Sequence, residues 1–250
     1  MKLSPATVYL WFTFVEEIHN KLLLAEYKNL LPEEELERLS RFRFHAHKQR
    51  YLVGRALIRT ILSRYTGLDP KQVVFSREEH GRPYLLRSWK SPLPQFSLSY
   101  TDGLVGVALT LESRVGIDVE NTSREIDCLA IAESYFSSDE HKELKLLSEP
   151  LLKKRFFRLW TLKEAYVKAQ GSGLSIPLNE ASFHLREKNK EQSKATSMVA
   201  DDGRHWQFET FKPSEGHRAA FCVCQDFQIP FKVISTKVIP LESEKDFALC

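Results

Sequence analysis

The sequence predicts an α/β (α+β) fold built from two similar halves, each with a small, mainly antiparallel sheet packed against a long helix. A weak internal repeat supports this prediction. Residues 50–67 and residues 155–171 both begin with a basic and an aromatic residue, continue as a long helix and end at a glycine. Each half also contains alternating segments of the kind that form hairpins. We therefore expect two halves related by a pseudo-two-fold axis, residues 1–113 and residues 114–250.

The composition is typical of a soluble globular protein, with 42% of the 250 residues hydrophobic and 28% charged. The net charge of +3 is too small to indicate nucleic-acid binding by itself, although clustered positive charge would suit an acidic partner. The four cysteines form no paired CxxC motif, which favours reduced thiols in a cytoplasmic protein over a zinc site.

The apolar segment at residues 8–14 is too short to cross a bilayer and is followed at once by Glu16 and Glu17. It is typical of a buried strand, and the beginning of the chain lacks the pattern of a signal peptide. We therefore expect a cytoplasmic monomer that binds neither membrane nor nucleic acid.

A helix predicted within residues 155–174 has an apolar stripe and a charged side. The stripe recurs at three- and four-residue spacing and consists of Leu159, Leu162, Tyr166 and Ala169. Glu164 and Lys168 lie one turn apart on the opposite side. Gly171 and Gly173 suit a left-handed helix end.

Residues 36–65 are helical in pattern, after an acidic first turn that begins at Pro32. Nine basic residues fall in or beside this helix: Arg38, Arg41, Arg43, His45, His47, Lys48, Arg50, Arg55 and Arg59. They can form a solvated face or an anion site, because guanidinium groups bind phosphate with two hydrogen bonds.

The remaining patterns predict strands, turns and a capped helix. Strands are expected at residues 73–75, 95–100, 104–111, 115–120, 176–185, 206–211 and 219–224, with one more after Pro230. Residues 80–84 predict a turn with Arg82 at its tip. Ser137 and Glu140 predict a capping box, which is a sufficient structural reason for Glu140.

Three carboxylates are candidates for a metal site. Asp118 and Glu120 share one face of a strand, with Cα atoms about 6.5–7 Å apart, so their carboxylates can converge on one ion. Glu164 would have to join them from the helix. Carboxylate oxygens suit Mg²⁺, and three acids gathered without a cation would repel one another. The alternative is a solvent-facing strand with Glu164 paired to Lys168.

Several basic residues suit a polyanion: Arg38, Arg43, Arg50, Arg82 and Lys168. A metal site combined with these cations is the arrangement that phosphoryl-type transfer requires. The chain contains no Walker loop, GxGxxG motif or kinase signature, so a nucleotide is not held in one of those ways.

These motifs together resemble the Sfp type of the 4′-phosphopantetheinyl transferase superfamily. The resemblance rests on Gly116-Ile117-Asp118-Val119-Glu120, Phe136-Ser137 with Glu140, Trp160-Thr161-Leu162-Lys163-Glu164-Ala165-Tyr166-Val167-Lys168 and Gly171-Ser172-Gly173-Leu174. Upstream it continues through Arg41-Phe42, Arg50, Gly54, Gly81-Arg82-Pro83 and Phe96-Ser97-Leu98-Ser99. It covers most of the chain, and the length suits the pseudo-dimeric type.

The resemblance implies transfer of phosphopantetheine from coenzyme A to a serine of an apo acyl or peptidyl carrier protein, which releases adenosine 3′,5′-bisphosphate. It implies Mg²⁺, with Mn²⁺ as an alternative, on Asp118, Glu120 and Glu164, and Lys168 on the pyrophosphate. Arg50, Arg82 and Ser99 would lie in the coenzyme A site, with Arg38 or Arg43 near its 3′-phosphate. Fatty-acid, polyketide or nonribosomal peptide synthesis would be served.

Two positions depart from the family pattern. Tyr100 stands in the coenzyme A site where many members have histidine, and it can only hydrogen-bond to a phosphate at neutral pH. Glu35 stands at one basic position near the adenosine phosphate.

Glu164, a water molecule next to it, or Glu140 would accept the proton of the serine. The alternative function is a non-catalytic module that binds coenzyme A or an acidic protein.

Overall fold

The computed structural model describes residues 3–79, 81–86, 94–171, 178–183, 193–199, 204–225 and 231–249. The helices are α1 (Lys21–Asn29), α2 (Glu33–Ser40), α3 (His45–Thr66), α4 (Cys128–Tyr135), α5 (Ser138–Lys145) and α6 (Glu149–Gln170), with short 3₁₀ turns at Val15–Glu17 and Pro70–Gln72. The strands of the first part are β1 (Thr7–Phe14), β2 (Phe75–Arg77), β3 (Pro83–Leu85), β4 (Pro94–Thr101) and β5 (Leu104–Leu111). Those of the second part are β6 (Val115–Asn121), β7 (Ser193–Val199), β8 (His205–Ser214), β9 (His217–Gln225), β10 (Lys232–Ile239) and β11 (Ser243–Asp246).

Two main sheets and two long helices form four layers. The first sheet has the order β11-β10-β1-β5-β4, and the second, which is antiparallel, has the order β6-β9-β8-β7. Helix α3 packs on one face of the first sheet, and α6 packs on one face of the second. The other faces pack against each other through an apolar layer that includes Leu10, Phe12, Ile117 and Phe221. The predicted α/β (α+β) class is confirmed.

The last strands return to the first sheet. Strand β10 pairs in parallel with β1, and β11 pairs antiparallel with β10 at the sheet edge. Side chains reinforce this return, because Thr13 Oγ1 donates to Val238 O at 2.8 Å and Tyr27 Oη donates to Pro240 O at 2.9 Å. The segment 114–250, expected to form one half, is therefore shared between the two sheets, and its tail contains two strands where one was expected.

The helix expected at residues 36–65 is wrong in one respect, because it is two helices. Helix α2 ends at Ser40, and α3 begins at His45 after Phe44 adopts an extended backbone. Phe42 in the intervening segment packs on Tyr51, with ring centroids 5.2 Å apart. A further helix, α1, precedes α2, and its first N–H groups are capped by the Asn20 side chain.

Most of the other expected elements agree with the structure, but the strand expected at residues 73–75 begins only at Phe75 and extends to Arg77. The predicted hairpins correspond to β4–β5 and β8–β9, and α6 ends at Gly171, which has φ of 76° as expected for a left-handed helix end. The strand expected at 176–185 is wrong for residues 178–183, which form a turn at 178–180 followed by a bend and irregular backbone. Its other residues and Gly173 lie outside the described residues. No helix in the described ranges is both long and apolar enough to span a membrane.

Candidate active site

Helix α6 lies unusually close to β6 because β6 contains Gly116. A Cβ atom on Gly116 would stand 1.9 Å from the carbonyl oxygen of Ala165 and 2.7 Å from the nitrogen of Ala169. Only glycine permits this approach, which places Glu164 and Lys168 over the face of β6 that carries Asp118. The predicted meeting of the helix with the acidic strand therefore has a local cause in the sequence.

Asp118 and Lys168 form the centre of the site together with Ser99 from the first half. The Lys168 ammonium donates to Asp118 Oδ1 at 2.6 Å and to Ser99 Oγ at 2.8 Å. Ser99 Oγ in turn donates to Asp118 Oδ1 at 2.9 Å. Asp118 is 4% exposed, and its Oδ2 is buried without a hydrogen-bond partner among the described residues. A buried carboxylate oxygen in this state can accept a further cation or donor.

Hydroxyl groups of β4 bind the backbone of β6 and so join the two sheets at the site. Ser97, Ser99 and Thr101 accept hydrogen bonds from the N–H groups of Ile117, Val119 and Asn121 at 3.2, 3.3 and 3.0 Å. Their period-two spacing places them on one side of the strand. Neither Ser97 nor Thr101 was predicted as a site residue, although the alternating hydroxyls were visible in the sequence.

Glu120 lies beside Asp118 and is bonded on both of its oxygens. Its Oε2 accepts from Arg124 Nη1 at 2.9 Å, and its Oε1 accepts from Trp160 Nε1 at 3.1 Å. Burial raises the pKa of Glu120, and the nearby negative charge of Asp118 raises it further. Arg124 and Trp160 lower this pKa and so offset only part of the effect of burial and of the Asp118 charge.

Glu164 is the third acid of the group. Burial raises the pKa of its carboxyl, the charge of Asp118 and then that of Glu120 add to this effect, and Lys168 opposes it. The charge of Asp118 therefore acts on both Glu120 and Glu164. We find no hydrogen bond to the Glu164 carboxylate from any residue in the described part of the chain.

The donor set fits a hard divalent cation. Its members are carboxylates, they repel one another, and Asp118 has a buried oxygen without a partner in the described residues. As the side chains stand, no three acidic, histidine or cysteine side chains in the described ranges surround one point. In this arrangement Lys168 pairs with Asp118 and Arg124 pairs with Glu120.

Glu140 belongs to a different, structural cluster. It is 2% exposed and completes the predicted capping box, in which its Oε2 accepts from the N–H of Ser137 at 2.8 Å. The fully buried ammonium of Lys163 lies 2.8 Å from the same oxygen, and the N–H of Phe183 donates to Oε1 at 2.8 Å. Because both oxygens are occupied, the geometry favours the capping explanation of Glu140 over the catalytic one.

Three adjoining cavities follow the edge of β4, and Tyr100 lines all of them. One of about 400 Å³ contains Asp118, Glu120, Lys168 and Arg50. The next, of about 330 Å³, contains Glu164, Lys168 and Arg82. The third, of about 250 Å³, contains Arg38 and Glu35. The acidic group therefore lies at one end of a polar cleft that runs between the two halves.

The predicted basic residues differ in their exposure, in their partners and in whether they line this cleft. Arg50 is paired with Asp102 and lies beside the Tyr100 ring, 5.9 Å from its centroid. Arg82 is buried, which lowers its guanidinium pKa, and donates to Gln95 Oε1 at 2.8 Å, so it is not an exposed turn tip. Arg43 is exposed over Phe44 and lines none of the three cavities.

Three further arginines line the cleft without having been predicted as site residues. Arg77 lines two of the cavities, and Arg124 lines the acidic one. Arg55 pairs with Glu35, whose other partner is the buried Arg59 at 2.8 Å. The dense basic pattern of the second helical segment was the sequence signal for Arg55, but its carboxylate partner lies on another helix, α2.

Two family models match successive parts of this chain. Residues 114–222 match the model of the 4′-phosphopantetheinyl transferase superfamily, and residues 20–111 match the model described as 4′-phosphopantetheinyl transferase, N-terminal. The 4′-phosphopantetheinyl transferase HetI of a Nostoc strain is 34% identical over 67% of this chain and 70% of its own length. The transferase psf-1 of Bacillus pumilus is 34% identical over 73% and 74% of the two chains.

This chain belongs to the 4′-phosphopantetheinyl transferase superfamily. The match extends further with Sfp of Bacillus subtilis, which is 28% identical over 84% of this chain and 89% of its own length. The two family models meet between residues 111 and 114, just before β6 begins. The site described above lies across this junction, because Ser99 precedes it and Asp118, Glu164 and Lys168 follow it.

Glu35 lines the same cavity as Arg38 and carries the opposite charge. Burial alone would raise the pKa of Glu35, but hydrogen bonds from Arg59 and Arg55 lower it overall. The Glu35 carboxylate is therefore neutralised within its own cluster, and Arg38 and Arg77 are left as the other cations of that cavity.

Proposed function

We propose that this transferase moves the 4′-phosphopantetheine group of coenzyme A to a serine hydroxyl of an apo acyl or peptidyl carrier protein. The serine oxygen forms a bond to the phosphorus next to pantetheine, and the bond from that phosphorus to the bridging pyrophosphate oxygen breaks. The products are the holo carrier protein and adenosine 3′,5′-bisphosphate.

The observation that carries this proposal is the contact of Lys168, Asp118 and Ser99 inside a cleft lined by arginines. A single ammonium lies 2.6 Å from Asp118 Oδ1 and 2.8 Å from Ser99 Oγ, where both halves of the chain meet. A cation fixed at the junction of an acidic and a basic cavity is suited to hold a pyrophosphate.

The basic residues would hold the rest of coenzyme A. We assign the outer phosphate oxygens to Lys168 and Arg50, and the adenosine end to the cavity of Arg38 and Arg77. Arg82 is buried between Gln95 and Glu78, so it is placed to support the wall of the cleft. Tyr100 lines all three cavities, and its hydroxyl can hydrogen-bond to a phosphate.

Asp118, Glu120 and Glu164 are the residues that would hold Mg²⁺, or Mn²⁺ in its place. When bound, such an ion neutralises charge that develops on the pyrophosphate. The protein's own contribution is to hold the acids side by side through the close packing of α6 on β6 and to keep Lys168 directed at Asp118.

Glu164 is our candidate for the proton acceptor. Burial and the neighbouring acids raise its pKa in the protein without metal, and as a metal ligand it would accept the proton through an adjacent water molecule. Glu140 is a poorer candidate, because Lys163, Ser137 and Phe183 occupy its oxygens.

The test is incubation of the protein with coenzyme A, Mg²⁺ and a panel of apo carrier proteins, read by mass spectrometry. We expect a mass gain of one phosphopantetheine on at least one carrier and formation of adenosine 3′,5′-bisphosphate in equal amount. The alternative, a non-catalytic binding module, predicts coenzyme A binding without any mass gain. A panel that spans fatty-acid, polyketide and peptide carriers also identifies the pathway.

A further inference from the structure

One ion pair in the acidic cavity joins a proposed metal ligand to a residue at the cavity rim. Arg124 Nη1 donates to Glu120 Oε2 at 2.9 Å, four residues along the chain. The other oxygen of Glu120 accepts from Trp160 Nε1 at 3.1 Å. Both oxygens of Glu120 are therefore engaged, so an added cation must displace or share one of these donors.

The two donors differ in how firmly they are held. The Trp160 ring stacks on Phe156, with centroids 5.9 Å apart, and also contacts Phe136 and Tyr135. The side chain of Arg124 is 49% exposed, and in the described part of the chain Glu120 is the partner found for it. The guanidinium can therefore move into water at little cost, whereas the indole cannot.

We propose that Arg124 is an internal counter-ion for Glu120 that a divalent cation displaces when it binds to the acidic group. The inference rests on the proposed function, since it concerns the same three acids. Lys168 is the cation paired with Asp118, and Arg124 is the cation paired with Glu120. These pairs reduce the repulsion between the two carboxylates, so both can lie side by side in the folded protein. Release of Arg124 then opens Glu120 to the metal and leaves a mobile positive charge at the rim.

This role predicts that Arg124 competes with metal binding. In Arg124→Gln, Glu120 no longer has a competing cation, and we expect the dissociation constant for Mn²⁺, measured from the free-ion electron paramagnetic resonance signal without coenzyme A, to fall about threefold or more. Arg50→Gln is the matched control, because Arg50 lines the same cavity but pairs with Asp102. It removes the same charge without freeing Glu120.

Equal effects of the two substitutions would show a general charge effect and overturn the proposal, as would an unchanged or weaker Mn²⁺ affinity in Arg124→Gln. The side-chain Nε–H resonance of Arg124 provides a second readout. We expect it to move on addition of Mg²⁺ to the wild-type protein, and an Arg124 resonance that is unaffected would contradict displacement.

The outcome is separable from that of the proposed function. If the wild-type protein labels carriers but Arg124→Gln binds Mn²⁺ like the wild type, the transferase proposal stands and the counter-ion proposal fails. If the protein labels no carrier but shows the expected changes in Mn²⁺ affinity and in the Arg124 resonance, the counter-ion proposal stands and the transferase proposal fails.

Discussion

Asp118 is the residue on which most contacts of the site converge. Strand alternation was enough to place it on one face with Glu120, and the helix pattern placed Lys168 with Glu164. The sequence did not indicate that Ser99, from the other half of the chain, would bond to both Asp118 and Lys168. Such a contact depends on how two sheets pack, and no local pattern encodes that packing.

Glu140 provides a residue-scale test of structural against catalytic function. The substitution Glu140→Gln leaves the Lys163 ammonium buried without its counter-ion, so we expect a loss of about 3–5 kcal/mol in the free energy of unfolding. Transfer per folded molecule should change little. Urea unfolding and kcat below the unfolding temperature measure the two quantities.

The matched comparison for Glu140 is Glu164→Gln, which should keep most of the stability and lose transfer about a hundredfold or more. The reverse pattern, in which Glu140→Gln is stable and inactive, would make Glu140 the catalytic acid-base group and refute the assignment.

Glu35 should make the stability of the protein depend on pH. Its folded pKa is lowered overall, so its contribution is present above the unfolded value of about 4.3 and is lost as the pH falls through the folded value. We expect Glu35→Gln to be less stable than the wild type at pH 7, with the difference shrinking in more acid solution. Urea unfolding at a series of pH values measures it.

Glu34→Gln is the control for Glu35, since Glu34 is an exposed residue in the same helix turn. A stability difference between Glu35→Gln and the wild type that stays constant through the acid range would show that the arginine pair does not set this carboxylate's ionisation.

At the scale of elements, the packing of α6 on β6 decides the site. The substitution Gly116→Ala places a methyl group 1.9 Å from the Ala165 carbonyl oxygen, so the helix must move outward. We expect a loss of about 1–3 kcal/mol in stability and a fall in transfer, because Glu164 and Lys168 move with the helix. Thermal unfolding and kcat/KM are the measurements.

Gly54→Ala in α3 is the control for this packing. Its Cβ would make ordinary contacts, 3.7 Å from Val105, so the change should be neutral or stabilising by up to about 1 kcal/mol. Equal stability of the Gly116 and Gly54 variants would disprove the close approach of α6 to β6.

Element boundaries were predictable where one residue type sets them. Gly171 ends α6, and the Ser137 capping box begins α5, and both effects are local. The break between α2 and α3 was missed, because Phe42 and Phe44 fit a helical apolar pattern equally well. Phe42 packing on Tyr51 is what settles the path of the chain there.

At the scale of the whole molecule, the C-terminal strands complete the first sheet. A chain that ends at residue 231 lacks β10 and β11 and exposes the edge of β1. We therefore expect the first sheet of this shortened chain to unfold without a cooperative transition. A chain that ends at residue 241 keeps β10 and should fold with reduced stability. Calorimetry and circular dichroism compare the two.

If the chain ending at residue 231 unfolded as cooperatively as the full chain, the proposal that the C-terminal strands complete the first sheet would be contradicted. The sequence predicted two halves, yet it could not show that β10 lies parallel to β1, because that pairing joins segments more than two hundred residues apart. The hairpins, by contrast, pair neighbouring segments and were predicted correctly.

We propose that the acids and Lys168 carry out transfer at the junction of the two halves. The most direct measurement is the mass of an apo carrier protein after incubation with coenzyme A, Mg²⁺ and either wild-type protein, Asp118→Asn or the exposed control Glu26→Gln. We predict one added phosphopantetheine with the wild type and with Glu26→Gln. With folded Asp118→Asn we predict labelling about a hundredfold slower or more, because the substitution removes a charge from the site. Labelling by Asp118→Asn at the wild-type rate would contradict the account.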